Sequence, residues 1–597
     1  MSSKKTATVI LLMGLFVVSP AFAANLEENW NDFLHYIKIG RFDLAKGHAQ
    51  AILASSPDPV ELLALSQDNS QGYNILLRVN EQAPDAELAT LSGEVIRLIE
   101  LGRFIRRSDP RIIVEEVKRL STTERGKLTA VKRLQNAGEY AIPYMLDAMA
   151  DRSRRDELPN IVWALPQIGR SAIRPLVAAL QMPDVTIKTE IVKALGKIGY
   201  PQSLPYLKYI IEKDASSELS NVARNNIIKI NRQALNIPAA VLFFNLAENY
   251  YYHSESLAPP ADAGFANIWF WDPVKQWPVR EEVNTSYFYE LMAMRCCEWA
   301  LKTDEGFGRA IGLWLAAFFK AESTGIPIPD YFGQGHADAL VYATTAGPEY
   351  LHQALARAIK DRNADVALGA VEALAATVGE RSLFYALGSA QPLLQALSFN
   401  DRPVRYSAAI AIATSGPRQG FAESRLVVAN LAEALGQISL QTAEENERLN
   451  AEMANNYAIR AADAMLRLAE SRNSAFDLSL AQGALIAATR ARGMEIQIIS
   501  SRILAHLASP EAQRAIATMA LDSANDLETR RFAFESLSIS AKLNANMLPE
   551  AMVDAIYALI SSDQTERDLR LAASTAYGAL NLPSRKVKDL ILDQAKS

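Results

Sequence analysis

The chain has 597 residues, 49% of them hydrophobic, with 61 basic and 67 acidic side chains and a net charge of −6. That length and apolar content are enough to bury several cores, while the acidic balance disfavours nucleic-acid binding, which needs clustered positive charge to neutralise phosphates. Two adjacent cysteines, Cys296 and Cys297, and six scattered histidines supply neither a disulfide framework nor a zinc-ligand spacing, so no metal and no cofactor is expected.

Residues 1–23 read as a signal peptide. Lys4 and Lys5 form its charged start, Val9 to Val18 an apolar run too short to span a membrane, and Ala21-Phe22-Ala23 an A-x-A cleavage site. No cysteine follows that site for a lipid anchor, and no later segment approaches 18 unbroken apolar residues, so integral membrane insertion is not expected. The expectation is an exported product, periplasmic or secreted, with a net charge of −8 once Lys4 and Lys5 are removed.

Residues 24–110 read as an N-terminal helical region with a tight turn at Gly40 and further breaks at Asp68–Gly72 and Pro84. The run Gly40, Phe42, Ala45, Ala49, Ile52, Leu53, Pro57 resembles the second half of a tetratricopeptide repeat. From Arg103 to Arg133 ten basic residues stand against four acidic ones; this reads as a solvated helix face, with an anionic-partner patch as the alternative.

Residues 111–235 carry a two-helix unit repeated every 30 to 32 residues. Gly138 precedes Pro143, Gly169 precedes Pro175, and Gly199 precedes Pro205. An apolar stripe lies before each Gly (Val131/Leu134, Val162/Ala164/Leu165, Ile191/Ala194/Leu195) and after each Pro (Met145/Met149, Leu176/Ala179/Leu180, Leu207/Ile210/Ile211). Glycine stops a helix because it reaches φ > 0 without penalty, and proline suits a first turn. A period of this size means a solenoid, in which each unit buries its face against its neighbours. The stretch Asp184-Val185, Lys188, Ala194-Leu-Gly-Lys-Ile-Gly199 resembles the HEAT-repeat consensus, with Lys188 in place of the usual Arg. The resemblance implies an all-α fold, an α-solenoid of HEAT-like helix pairs, and a role in binding other proteins; it carries over no catalytic residue.

Residues 236–330 break the pattern. Residues 243–289 hold 13 of the chain's 47 aromatic side chains. Ile268 to Trp271 and Gln276 to Val279, separated by Asp272-Pro273, read as a small β-hairpin inserted between helices. Trp269 and Trp271 should share one face of the first strand, with Phe270 on the other. Tyr251, Tyr252, Trp269, Trp271 and Trp277 are the candidate partner-binding residues, because exposed indole and phenol rings give large rigid contact area. The competing reading is a plug of buried rings at a junction between helical arrays. Glu290–Leu301 and Phe307–Lys320 then resemble another tetratricopeptide helix pair, with Glu305 where that repeat's Pro is usual.

Residues 331–597 read as a second HEAT-like array: Val366, Ala370, Ala373 and Leu374, then Asp401-Arg-Pro-Val404-Arg405, then units around Arg530 and Arg570, closing in a charged C-terminal cap. The Arg of such units ties repeats together, so Arg405, Arg530 and Arg570 are expected to be structural. The acid-rich Gln441–Met453 reads as a long loop or exposed helix. No G-x-S-x-G elbow, H-E-x-x-H, P-loop or C-x-x-C occurs, His336 and Asp338 have no third ligand nearby, and Gly333-Gln-Gly335 reads as a turn. Carboxylates around the insert (Glu248, Glu255, Asp262, Asp272, Glu281, Glu282) are the only stock for an acid/base pair there. The expected function is an exported, non-catalytic scaffold with protein partners. The alternatives are a carbohydrate-binding or carbohydrate-cleaving envelope protein using the insert, with a glycan as partner, and a purely structural envelope component.

Overall fold

The computed structural model describes residues 20–595 apart from 70, 83–84, 260–263, 330–336, 378, 438–449 and 492. Most of the signal segment, Pro84, Asp262, Gly333 to His336 and most of Gln441–Met453 lie outside the described residues. The protein is 76% helical, and its strands form one two-stranded antiparallel sheet among the described residues. The all-α solenoid with a small hairpin insert is thus what the chain forms. Two compact units divide between Tyr289 and Glu290.

The first unit opens with helices Pro20–Lys38, Phe42–Ala54, Pro59–Asp68, Gly72–Gln82 and Ala86–Ser108. Their core joins Trp30, Phe33, Leu34, Ile52, Leu62, Leu63, Leu76, Val95 and Ile99. Gly40 turns the chain at φ +71°, a conformation that costs glycine nothing. Along the basic stretch, Arg111 pairs with Asp109 at 3.0 Å, Lys118 with Glu115 at 3.0 Å, and both Arg119 and Arg133 with Glu116.

The repeats follow as Glu124–Ala137 with Ala141–Ala150, Leu158–Ala164 with Ile173–Ala179, Val185–Ile198 with Leu204–Lys213, and Ser217–Asn231 followed by Ala239–Tyr251. Gly138, Gly169 and Gly199 stand at φ +60°, +80° and +77°. A 3-10 segment precedes each second helix (Gly138–Tyr140, Leu165–Ala172, Pro201–Ser203), so Pro143 and Pro175 sit third in their helices and Pro205 second. The first turn still needs no N–H from them. Side-chain caps start three of these four first helices: Gly126 N–H donates to Thr123 (3.1 Å), Ile187 N–H to Asp184 (3.0 Å) and Leu219 N–H to Ser216 (3.2 Å), while Leu158–Ala164 has none. The stripe residues Val131, Leu134, Ala164, Leu165, Ile191, Leu195, Met145, Leu176 and Leu207 are buried, while Val162, Leu180 and Ile211 are half-buried.

Phe265–Asp272 (β1) and Trp277–Asn284 (β2) pair with Trp269 opposite Arg280, Trp271 opposite Pro278 and Phe270 opposite Val279. Both strands extend beyond the segments the sequence marks. Asp272 closes the turn by accepting from Val274 N–H (2.9 Å) and Lys275 N–H (3.0 Å).

In the second unit, helix Thr285–Thr303 continues past the unit boundary and runs antiparallel to Arg309–Glu322. Lys320 bonds Glu290 near one end of the pair (2.9 Å), and Trp314 Nε1 donates to Glu298 further along it (3.3 Å). Trp299, Phe318 and Phe319 are core residues, as are Cys296 and Cys297. Helix pairs then follow, among them Pro348–Asp361 with Ala364–Thr377, Pro510–Leu521 with Leu527–Asn544, and Glu550–Ser561 with Arg567–Ala579. The last helix, Ser584–Ala595, is not wholly polar outside: Val587, Ile591 and Leu592 are exposed beside its charges.

Arg405, Arg530 and Arg570 are structural ties. Arg405 donates to the Phe399 carbonyl (3.2 Å) and to Glu433 on helix Ser424–Gly436 (2.9 Å). Arg530 donates to the Ala520 carbonyl (3.0 Å), and Arg570 to the Ser562 carbonyl (2.6 Å). Each satisfies a carbonyl left open at or just beyond the end of the preceding helix. Lys188, at the same offset from its cap, reaches Asp214 at 2.9 Å.

Candidate functional site

The hairpin is anchored by a buried carboxylate. Glu139 follows Gly138 in the 3-10 turn that leads into Ala141–Ala150, and it is only 3% exposed. Three donors converge on it: Asn267 Nδ2 (2.6 Å), Trp269 Nε1 (2.9 Å) and Arg174 Nη2 (3.1 Å). Asn267 Nδ2 also donates to the Tyr140 hydroxyl (2.6 Å), and its oxygen accepts from Arg280 (2.9 Å), whose guanidinium lies 4.9 Å above the Tyr140 ring. Burial is the main cause that raises the Tyr140 phenol pKa, so the hydroxyl stays neutral. Phe265 packs edge-on against Phe104 at 4.8 Å, and Phe104 against Tyr140 at 5.4 Å.

The five candidate residues separate by burial. Trp269 and Tyr251 are 5% and 2% exposed, so neither ring face is open to a partner. Trp269 is an anchor: its indole N–H is spent on Glu139. Trp269 and Trp271 do share one face of β1, with Phe270 on the other. Trp271 and Trp277 are half-buried, with Trp277 edge-on to Tyr144 at 5.8 Å. Tyr252 is 48% exposed, and Val274 at the hairpin tip is 91% exposed.

Of the carboxylates near the insert, Asp272 holds the turn and Glu282 pairs with Arg280. Among the described residues no group of three or more His, Cys, Asp or Glu side chains could hold a metal ion. None of their helices is long and apolar enough to cross a membrane.

Sequence reasoning missed Glu139, Arg174, Asn267 and Arg280. The one local signal is Glu139 itself: it begins the run Glu-Tyr-Ala-Ile-Pro with no basic residue within four positions. Its partners lie up to 130 residues away along the chain.

Residues 142–227 match the family model for HEAT repeats. None of the curated proteins compared with the sequence matches it significantly. Similar solved structures include importin beta (12% identity, covering 94% of this chain and 64% of that one, TM-score 0.26). Karyopherin Kap121p, bound to the extreme C-terminus of the protein phosphatase Cdc14p, is 12% identical over 88% of this chain and 56% of that one, with a TM-score of 0.27. SYS-1 is 11% identical over 94% and 99% of the two chains, with a TM-score of 0.25. The chain thus spans less than two thirds of the first two. It is an α-solenoid whose residues 142–227 match the HEAT-repeat family model.

Proposed function

We propose that this protein is an exported, non-catalytic scaffold for protein partners, and that the outer part of the aromatic hairpin is a docking surface. Stacked helix pairs present extended surface for such contacts. The observation that carries the reading is the division within the hairpin. Asn267 and Trp269 are bonded to buried Glu139, while near exposed Val274 at the tip Trp271, on the face of Trp269, and Trp277, on the opposite face, each keep part of their surface. Rings held in place before binding lose little entropy on contact, which favours affinity. Export rests on the Lys4-Lys5, Val9–Val18 and Ala21-Phe22-Ala23 pattern.

The test is the double variant Trp271→Ala/Trp277→Ala, used with the unaltered protein in affinity capture from the native envelope fraction. A docking surface predicts loss of specific captured proteins with little change in melting temperature. Unchanged capture by a folded double variant sinks the assignment. Loss of binding to isolated glycans by the same variant would move the reading to carbohydrate recognition.

A further inference from the structure

Beside the hairpin anchor, within the first unit, lies a cleft of about 320 Å³ whose described lining includes no carboxylate. Arg170 and Arg174 form one wall, one helical turn apart, with Gln202 beside them. Leu257, Ala258 and Pro259 form the other wall. Both guanidinium groups are held. Arg170 Nη2 donates to the Ala258 carbonyl at 3.2 Å. Arg174 Nη2 donates to Glu139 at 3.1 Å, and its guanidinium lies 5.1 Å over the Phe288 ring. Gln202 is oriented by its bond to the Tyr250 hydroxyl (2.7 Å). Each guanidinium has five N–H donors, and the bonds to Ala258 and Glu139 use one apiece among the described residues. Glu139 offsets one of the two positive charges, which leaves one positive charge among the described lining residues.

We infer that this cleft binds the C-terminal carboxylate of a protein chain, with the terminal side chain against Leu257 and Pro259. The planar guanidinium fork matches a carboxylate in two-point geometry. A volume of about 320 Å³ corresponds to roughly ten waters at about 30 Å³ each. That is room for one terminal residue. Phosphate fits the same fork but has no apolar part to use the second wall. The inference deepens the scaffold reading, since its ligand belongs to a protein partner. Its test needs no partner, so the two fail separately.

The experiment is saturation-transfer NMR on the full chain with N-acetyl-leucine, N-acetyl-leucinamide and inorganic phosphate as probes. The expected result is saturable binding of N-acetyl-leucine, weakened about tenfold or more for the amide, which lacks the charge. The same weakening is expected in Arg170→Gln. Ala258→Glu is the second variant: it keeps Arg170, sits at an exposed position and places a competing carboxylate across the cleft. Absence of N-acetyl-leucine binding, equal binding of the amide, or undiminished binding in Ala258→Glu would overturn the inference. Phosphate binding more tightly than N-acetyl-leucine would overturn the chain-terminus assignment. Loss of hairpin-dependent capture in Trp271→Ala/Trp277→Ala with cleft binding intact separates this site from the docking surface.

Discussion

Glu139 shows how much one side chain decides here. Removing a partner from a buried, hydrogen-bonded charge pair leaves the other charge desolvated, at a cost of about 3–5 kcal/mol. Glu139→Ala strands Arg174 and Trp269 and takes one of two acceptors from Asn267, so its unfolding free energy should fall by an amount in that range, seen as a lower denaturant midpoint. Glu139→Gln keeps an acceptor for one donor and should fall less. Equal stability of Glu139→Ala and the unaltered protein would show that the hairpin does not depend on this anchor. A second residue sets a pH dependence. His352 is fully buried, stacked on Tyr385, with Nε2 2.9 Å from the Ser382 carbonyl. Burial pushes its pKa below the usual 6.5, partly offset by that hydrogen bond. The unfolded chain therefore takes up a proton before the folded one does as pH falls. Stability is full above pH 6.5 and is lost as pH drops from there towards the depressed folded value. His506, also lowered chiefly by burial, adds to the same trend. His352→Asn should flatten, without abolishing, the decline in melting temperature below pH 6.5. A decline as steep as that of the unaltered protein would exclude His352 as a source.

Between elements, the repeats depend on close approach as well as on apolar stripes. Helices Val185–Ile198 and Ser217–Asn231 meet where Asn226 Nδ2 donates to the Val192 carbonyl at 3.0 Å. A Cβ on Gly196 would lie 2.1 Å from Asn226 Oδ1 and 2.7 Å from Asn226 Cβ. Gly196→Ala must therefore push the helices apart or break that buried bond. Overpacking of this kind costs about 1–3 kcal/mol, which outweighs the roughly 1 kcal/mol of helix propensity that alanine gains over glycine. Urea denaturation should show a lower midpoint, and a higher one would refute the close contact. Asn430 makes the corresponding bond in the second unit, Nδ2 to the Leu397 carbonyl at 2.9 Å.

For the molecule as a whole, the proposed processing is compatible with the first unit's core. Cleavage after Ala23 removes only the first four residues of helix Pro20–Lys38. Leu26, Trp30, Phe33 and Leu34, the core residues of that helix among its described side chains, all lie beyond the cut. Intact mass of the exported protein should therefore correspond to a chain starting at Ala24 or Asn25, folded and with its helical circular dichroism retained. A chain keeping Met1 in the cytoplasm would overturn export.

The repeat architecture was legible because its causes are local. Gly138, Gly169 and Gly199 end helices by reaching positive φ, and stripes such as Ile191/Leu195 recur with the helical period, so the helix pairs and their buried faces follow from short windows of sequence. The hairpin was legible for the same reason, through Asp272-Pro273 between two aromatic runs. Which of its rings face outward was not. Trp269 and Trp271 are alike in sequence context and share a strand face, yet one is sealed and the other half-open. The difference is a carboxylate 130 residues earlier, at hydrogen-bond distance only after the array has folded. Burial of a charge, and the donors that must then satisfy it, are properties of tertiary contact, and only the folded unit decided them.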